Sequence, residues 1–132
     1  MHVFYTLNRL GAKGIAFALD SALFGVLDAV EALTDAATVT DIAHALDVDQ
    51  PRASRLVARA VSEGLLRREA DQADARRVVL RLTPKARTEL SRVHDARRAV
   101  FARTTAQWSS RERAEFARLL TRFVTDFART VR

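Results

Sequence analysis

The stretch from Val48 to Thr83 reads VDQPRASRLVARAVSEGLLRREADQADARRVVLRLT, and its first half has the marks of a helix. Asp49 predicts an N-terminal cap, because its carboxylate can accept a backbone N–H of the first turn. Pro51 follows in that turn, where a missing N–H costs nothing. Gly64 predicts the end, since glycine readily adopts the left-handed conformation that closes a helix. We therefore expect one helix between Asp49 and Gly64.

The residues of this helix sort onto two faces. Apolar residues recur at intervals of three and four and predict a stripe that packs on a core: Ala53, Leu56, Val57, Ala60 and Val61. A second face carries the polar residues: Gln50, Arg52, Ser54, Arg55 and Arg59. Guanidinium, amide and hydroxyl groups are suited to phosphates and base edges. The alternative is a solvated arginine face that binds nothing.

Two strands, Leu65 to Ala70 and Arg77 to Leu82, are expected after the helix. The second is expected to alternate between two faces: Val78, Leu80 and Leu82 on one, and Arg77, Val79 and Arg81 on the other. The join between the strands is polar and is followed by arginines: Asp71, Gln72, Asp74, Arg76 and Arg77. A hairpin directly behind a basic helix is the arrangement of a winged helix-turn-helix.

The segments VDQPRASRLVARAVSEGLLRRE and DARRVVLRLTPKA resemble the MarR family of bacterial transcription regulators. In that family a wing marked by Asp-x-Arg leads through Leu-x-Leu-Thr into a long helix. The residues that match this pattern are Asp74, Arg76, Leu80, Leu82 and Thr83. Ala86 stands where the family usually has glycine, and alanine is the better helix former. The resemblance extends from about Asp20 to Leu90, and the flanks match only in helical character.

The resemblance implies a mainly α fold with a small β-hairpin wing, in which a winged helix-turn-helix is joined to terminal dimerisation helices. We expect a single domain over residues 1–132, with the DNA-binding part at 20–83 and the dimerisation part at 1–19 and 84–132. Three helices are expected before the wing stretch: Val3 to about Lys13, one that opens at Asp20 or Ser21, and one from Thr40 to near Leu46. The inward residues of the second are expected to be Leu23, Val26, Leu27, Val30 and Leu33.

Two helices are expected after the wing. Thr83 predicts an N-cap for a helix that runs to about Gln107, with Pro84 at its first position. One face of that helix is traced by Leu90, Val93, Arg97, Val100, Phe101 and Thr104. Ser109 or Ser110 caps the last helix, whose apolar stripe consists of Phe116, Leu119, Leu120, Phe123, Val124, Phe127 and Val131.

This stripe is too apolar to remain in water, and two coverings are possible. It packs either on the first helix of the same chain or on a second copy of the chain. The family resemblance favours the second, which gives a two-fold homodimer built from both chain ends. The residues expected in that interface are Phe4, Leu7, Phe116, Leu120, Phe123 and Phe127.

The composition fits a folded protein with a polyanionic partner. Hydrophobic residues make up 48% of the chain, and 22 basic against 16 acidic residues give a net charge of +6. Residues 67–132 hold 17 basic and 8 acidic residues, whereas residues 1–66 hold 5 and 8. The absence of cysteine excludes disulfides and cysteine-based redox sensing. We expect no membrane span and no signal peptide, and hence a cytoplasmic location.

The sequence shows no catalytic motif and no obvious cofactor site. His2, His44 and His94 lack a second ligand at a suitable spacing, so no metal site is expected. Neither G-x-S-x-G nor a glycine-rich phosphate loop is present, and we expect no enzymatic activity and no cofactor. Several aromatic residues either form ordinary core or line a cavity for a small aromatic effector, as the resemblance implies: Tyr5, Phe17, Phe24, Phe101 and Trp108.

The resemblance implies a sequence-specific regulator, a repressor that binds double-stranded DNA as a homodimer on an inverted repeat. The half-sites would lie about 10 base pairs apart. The expected DNA-binding residues are Gln50, Pro51, Arg52, Ser54, Arg55, Arg59, Asp74, Arg76 and Arg77. Among these, Arg76, held by Asp74, would enter a minor groove, and Arg77 would bind phosphate. Two alternatives stay open: a winged-helix module that binds a protein and not DNA, and a small-molecule carrier.

Overall fold

The computed structural model describes residues 21–33 and 36–131. Within them the elements are, in chain order, α1 (Ser21–Ala32), α2 (Val39–Leu46), α3 (Gln50–Ser62), β1 (Leu66–Ala70), β2 (Val78–Leu82), α4 (Pro84–Thr104) and α5 (Ser110–Thr130). This order confirms the expected class, mainly α with a two-stranded antiparallel wing. The helix expected from Val3 to Lys13, with Phe4 and Leu7, lies outside the described residues.

The chain divides into two compact units, residues 1–96 and 97–132. In the first unit α1 supplies much of the core, and four of its five expected inward residues are fully buried: Leu23, Val26, Leu27 and Val30. The fifth expectation is wrong, because Leu33 is 40% exposed. It follows Ala32, the last residue of the helix, and therefore lies in a turn and not on the buried face.

Helix α2 begins one residue earlier than expected. Its N-cap is Thr38, whose hydroxyl accepts the N–H of Asp41 at 3.2 Å. The Asp41 carboxylate in turn accepts the Thr38 N–H at 2.8 Å, which completes a capping box. The expected C-terminal end at Leu46 is confirmed, and Asp47 closes the helix with a left-handed φ of 52°.

Helix α3 follows the expected boundaries. The Asp49 side chain accepts the N–H of Arg52 at 2.7 Å, and Gly64 just past the helix has a φ of +73°. The apolar stripe turns inward: Ala53, Val57 and Ala60 are fully buried and Leu56 and Val61 are half-buried. The opposite face of α3 is therefore left in solvent.

The wing is a hairpin in which Leu66 pairs with Leu82 and Ala70 with Val78. Each strand starts one residue later than expected. Burial does not follow the two predicted faces, since Leu80 and Leu82 are buried but Val78 is 52% exposed, and Val79 of the other face is also buried. Val78 pairs at the loop end of the hairpin, farthest along the ladder from the buried Leu66–Leu82 pair.

Helix α4 starts where expected, with the Thr83 hydroxyl accepting the N–H of Ala86 at 3.2 Å. Its buried residues in the first unit are Ala86, Leu90 and Val93. The helix ends at Thr104 and not near Gln107, because the chain tightens into a turn around the buried Thr105. Thr105 donates its hydroxyl hydrogen bond to the carbonyl of Phe101 at 2.9 Å.

In the second unit, α5 opens with a capping box between Ser109 and Glu112, as expected. Its apolar stripe is exposed in the single chain, with Phe116 at 38%, Phe123 at 47% and Phe127 at 50%. The predicted face of α4 is open here as well, since Phe101 is 44% exposed. None of the helices in the described part of the chain has the length and apolar character needed to cross a bilayer.

Candidate nucleic-acid interface

The solvent side of α3 presents two lines of polar residues. Arg52, Arg55 and Arg59 stand at i, i+3 and i+7 and are all exposed, so they follow one line along the helix. Gln50 and Ser54, at i and i+4, form a second exposed line. The Gln50 amide nitrogen lies 3.3 Å from the hydroxyl of Thr40 on α2. This hydrogen bond holds the Gln50 side chain at the junction of α2 and α3.

Some arginines of the candidate interface form ion pairs with carboxylates and others do not. Arg59 lies 3.0 Å from the carboxylate of Glu63, one turn later on α3. By contrast, Arg52, Arg55 and Arg76 make no ion pair with any carboxylate in the described ranges 21–33 and 36–131. Three exposed guanidinium groups therefore keep their donors available to an anion.

The tip of the wing is shaped by two aspartates. Asp71 accepts the N–H of Ala73 at 3.1 Å, and the Asp74 carboxylate accepts the N–H of Arg76 at 3.0 Å. The backbone N–H of Arg77 donates to the carbonyl of Asp74 at 2.9 Å. Asp74 thus holds the backbone of Arg76 rather than its guanidinium group, and the side chain of Arg76 projects from a fixed turn.

Arg77 has a different environment from the one expected for a phosphate ligand. Its guanidinium group lies 3.8 Å from the Asp41 carboxylate, 3.9 Å from Asp71 and 3.5 Å from the carbonyl of Ala36. The side chain is still 49% exposed. These contacts are long and leave donors open, but they tie the wing to the segment that leads into α2.

A second link joins the wing to the helix-turn-helix. The N–H of Leu80 on β2 donates to the carbonyl of Ala37 at 2.8 Å, and the two residues form an isolated β-bridge. Ala37 is completely buried. This bond is buried and the contacts of Arg77 are at the surface, so the wing is attached to the start of α2 and the segment before it by both buried and exposed contacts.

Ion pairs run along the wing strands. Glu69 on β1 lies 2.9 Å from Arg81 on β2 and 2.7 Å from Arg67. The hydrogen bond from Arg81 is the main reason that the pKa of Glu69 is lowered, and the charge of Arg67 adds to the effect. At the N-terminus of α2, the backbone and side-chain hydrogen bonds from Thr38 lower the pKa of Asp41, with a smaller contribution from Arg77. Both carboxylates are therefore charged partners at neutral pH.

The corner between α3 and α4 is closed by hydrogen bonds to the end of α3. The Thr83 hydroxyl donates to the carbonyls of Gly64 at 2.6 Å and Leu65 at 3.2 Å. The Lys85 ammonium donates to the carbonyl of Glu63 at 2.9 Å. The N-cap residue and the first turn of α4 thus bind the backbone of the three residues that follow α3.

The aromatic residues proposed for an effector cavity fall into separate places. Phe24 is buried in the core of the first unit, as ordinary packing requires. In the second unit Phe116 stacks on Phe101 at 6.3 Å and meets Trp108 edge-on at 5.3 Å. Tyr5 and Phe17 lie outside the described residues.

One group of potential metal ligands appears that the spacing of residues along the chain did not reveal. Asp28, Glu31 and His94 offer ligand atoms that all lie within 4.8 Å of one another. Glu31 and His94 are 63 residues apart in the chain. Only the packing of α1 on α4 brings them together, so inspection of the neighbours of His94 could not find them.

The chain is similar to known proteins in both sequence and fold. A sequence profile of the MarR family matches residues 19–77. A MarR family protein from Bacillus stearothermophilus superposes with a TM-score of 0.85 at 20% identity, covering 96% of this chain and 89% of that one. A search of curated protein sequences finds no match.

Two further solved structures are associated with small molecules. S. aureus MepR, solved with ethidium bromide bound, has a TM-score of 0.72 at 20% identity and covers 96% of this chain and 94% of its own. BpsR of Bordetella bronchiseptica, whose DNA binding is regulated by 6-hydroxynicotinic acid, has a TM-score of 0.65 at 25% identity, with 93% and 91% covered. The sequence match over residues 19–77 and the shared architecture along nearly the whole chain agree, and the chain is similar to MarR family proteins in its winged helix-turn-helix and in its fold.

Proposed function

We propose that the protein is a sequence-specific regulator that binds double-stranded DNA as a homodimer on an inverted repeat and represses transcription. Residues 20–83 would bind DNA, and residues 1–19 and 84–132 would form the dimer. The binding residues would be Gln50, Pro51, Arg52, Ser54, Arg55, Arg59, Asp74, Arg76 and Arg77. Such a protein acts where the chromosome lies, in the cytoplasm, and needs no enzymatic activity.

The observation that carries this proposal is the set of unmatched arginines on α3 and the wing tip. Arg52 and Arg55 are exposed on a helix whose other face is buried, so the helix is fixed while its cationic side is open. An exposed helix of this kind enters the major groove of DNA. Arg76, on a turn fixed by Asp74, would reach the flanking minor groove. Exposed guanidinium groups on both elements suit phosphate and base-edge contacts together.

Arg77 has a mixed role within this proposal. Its contacts with Asp41 and Asp71 hold the wing, while its half-exposed guanidinium group keeps donors for a phosphate. DNA phosphates that approach the wing would compete with these two carboxylates. We therefore expect Arg77 to contribute less to affinity than Arg55 or Arg76.

The homodimer is supported by the exposed stripe on α5. Phe116, Phe123 and Phe127, with Leu119 and Leu120 between them, leave an apolar face of a kind that monomeric proteins usually cover. Because a two-fold interface pairs the same patch from both copies, one such stripe per chain is sufficient. Two copies would place two α3 helices about one turn of DNA apart.

A small aromatic effector is part of the proposal because of the aromatic group at the start of α5. Phe101, Trp108 and Phe116 present ring faces and edges in the second unit, and Phe101 remains 44% exposed. Aromatic rings bind other rings by stacking and edge contacts. Binding of 6-hydroxynicotinic acid regulates DNA binding in BpsR, which has the same architecture.

The decisive experiment is a selection from random duplex DNA, followed by affinity measurement at several salt concentrations. We expect an inverted repeat to emerge, and affinity to fall by roughly 10³–10⁵ between low and moderate salt if about 6–10 phosphates are neutralised. Arg55→Ala should reduce the difference in binding free energy between the selected duplex and random DNA by about 1–3 kcal/mol. Arg111→Ala, which removes an exposed arginine from α5, is the matched control and should leave that free energy difference unchanged.

The alternatives give different results in the same experiment. A winged-helix module that binds a protein would enrich no sequence and would show no difference between Arg55→Ala and Arg111→Ala. A small-molecule carrier would bind ligands without salt-dependent binding to any duplex. Either outcome would overturn the proposal.

A further inference from the structure

Three potential metal ligands from two helices meet in the first unit of the chain. Asp28 and Glu31 stand three residues apart on α1 and so lie on one side of that helix, and His94 comes from α4. The ligand atoms that these three residues offer all lie within 4.8 Å of one another. His94 Nε2 is 3.0 Å from Oε2 of Glu31, so an imidazole nitrogen and a carboxylate oxygen already face each other.

The imidazole ring is held in place by packing. His94 meets the ring of Phe24 edge-on, with centroids 6.4 Å apart and an interplanar angle of 75°. Phe24 is 8% exposed and Val93 next to His94 is also buried, so the backbone and one side of the ring are anchored. Ligands fixed by packing lose less freedom on binding a metal ion than ligands on a loose surface.

The charge of the group favours a divalent cation. Two carboxylates face one imidazole, and one negative charge remains even when that imidazole is protonated. The Glu31 carboxylate contacts the His94 ring, whereas the Asp28 side chain makes no hydrogen bond or ion pair with another residue that the structure describes. A divalent ion between the three groups would balance both carboxylates and bind the neutral imidazole.

The donor set points to a transition metal ion rather than to Mg²⁺ or Ca²⁺. Imidazole nitrogen is a ligand for Zn²⁺, Ni²⁺, Cu²⁺ and iron, whereas Mg²⁺ and Ca²⁺ take oxygen ligands in larger numbers. In a tetrahedral Zn²⁺ site with bonds near 2.1 Å, ligand atoms stand about 3.4 Å apart. The ligand atoms lie up to 4.8 Å apart, so binding would require the two exposed carboxylate side chains to rotate inward.

We propose that Asp28, Glu31 and His94 form a site for a divalent first-row transition metal ion, with Zn²⁺ as the typical occupant. Each residue supplies one ligand atom, and a fourth position stays open to water. The bound ion would fasten α1 to α4. None of the three residues belongs to the candidate DNA-binding set, so the proposal does not depend on DNA binding.

The test is a calorimetric titration of the full, tag-free chain with ZnCl₂, repeated with MgCl₂. We expect about one Zn²⁺ bound per chain and no heat from Mg²⁺ under the same conditions. His94→Gln, Glu31→Gln and Asp28→Asn should each weaken Zn²⁺ binding by at least about tenfold, since loss even of an outer-shell group costs that much. His44→Gln and Asp95→Asn are the matched controls and should bind as the unaltered chain does.

Thermal unfolding provides the second readout. Zn²⁺ should raise the melting temperature of the unaltered chain and of His44→Gln, because an ion that binds only the folded state stabilises it. It should raise that of His94→Gln far less. Equal Zn²⁺ affinity in His94→Gln and His44→Gln, or equal binding of Mg²⁺ and Zn²⁺, would overturn the proposal. The Gln and Asn variants preserve side-chain size, and circular dichroism without metal checks that they fold.

Discussion

Arg77 at the base of the wing loop lies 3.8 Å from the carboxylate of Asp41, the residue that completes the capping box of α2. One aspartate therefore serves two purposes. It closes the N-terminus of a helix in the helix-turn-helix, and it receives an arginine from the hairpin. The two interactions differ in strength, because the hydrogen bonds with Thr38 are short and the contact with Arg77 is long and about half-exposed.

This difference predicts unequal effects of two substitutions. Asp41→Ala should destabilise the protein by about 1–2 kcal/mol, because it removes hydrogen bonds at the helix start. Arg77→Ala should cost less than about 1 kcal/mol, as exposed ion pairs do. The free energies of unfolding are measured by urea denaturation. Equal losses would mean that the ion pair, and not the capping box, is the main contribution of Asp41.

The lowered pKa of Asp41 predicts a dependence of stability on pH. The hydrogen bonds from Thr38 bring the folded-state pKa below the ordinary value of 3.8, so the charged form favours folding. That contribution is complete above pH 3.8 and is lost as the pH falls through the lower folded-state value. Asp41→Asn should therefore be less stable than the unaltered chain at neutral pH, and the difference should shrink in acid. A difference that stays constant in acid would contradict the assignment.

The wing tip gives a prediction about DNA affinity. Arg76→Ala should weaken binding to the selected duplex and lower the slope of log affinity against log salt by about 1, since one cationic contact is lost. The oligomeric state should not change, because Arg76 is far in sequence from the α5 stripe. Arg92→Ala on α4, also an exposed arginine, is the control. Unchanged affinity in Arg76→Ala would remove the wing from the interface.

The substitution Glu63→Gln should raise the affinity for DNA, whereas Arg76→Ala should lower it. The Glu63 carboxylate pairs with Arg59 at 3.0 Å, and Glu63→Gln removes that competing charge. Affinity for DNA at low salt should increase, and the salt slope should rise by up to about 1 if Arg59 then binds phosphate. Glu115→Gln, which frees Arg118 on α5, is a matched control that should leave DNA affinity unchanged. A decrease in affinity would show that Glu63 positions Arg59.

The stripe on α5 predicts the oligomeric state. Phe123→Glu places a charge in the apolar face and should convert a dimer to monomers, since each copy loses burial worth up to about 3 kcal/mol. Thr125→Glu adds the same charge on the opposite side of the helix and should leave the dimer intact. Sedimentation velocity distinguishes the two. A monomeric unaltered chain would instead favour packing of the stripe within one chain.

Local rules were sufficient for most of the winged helix-turn-helix. Asp49, Pro51 and Gly64 fixed α3 because caps and helix ends depend on neighbours within one turn. The stripe from Ala53 to Val61 predicted the buried face for the same reason. The start of α2 was placed one residue late, at Thr40, because the capping box between Thr38 and Asp41 was not recognised.

Features that depend on distant residues were not predictable. The exposure of Val78 and the burial of Val79 depend on what packs against each face of the hairpin, which the alternation of side chains does not give. Neither the contact of Arg77 with Asp41 nor the approach of His94 to Glu31 follows from spacing along the chain. The candidate DNA-binding residues and the dimer interface remain predictions, to be tested by the substitutions above.

The hydrogen bonds of Thr83 and Lys85 to the end of α3 have a mechanical consequence. They connect the chain just after α3 to the start of α4, so a tilt of α3 relative to the first turn of α4 would strain or break them. In a two-fold assembly, the distance between the two α3 helices would then be set by the angle of α4. A ligand or mutation that changes that angle by a few degrees would change the spacing of the two α3 helices. Their arginines would then no longer match the helical repeat of DNA, although the ligand or mutation contacts none of them.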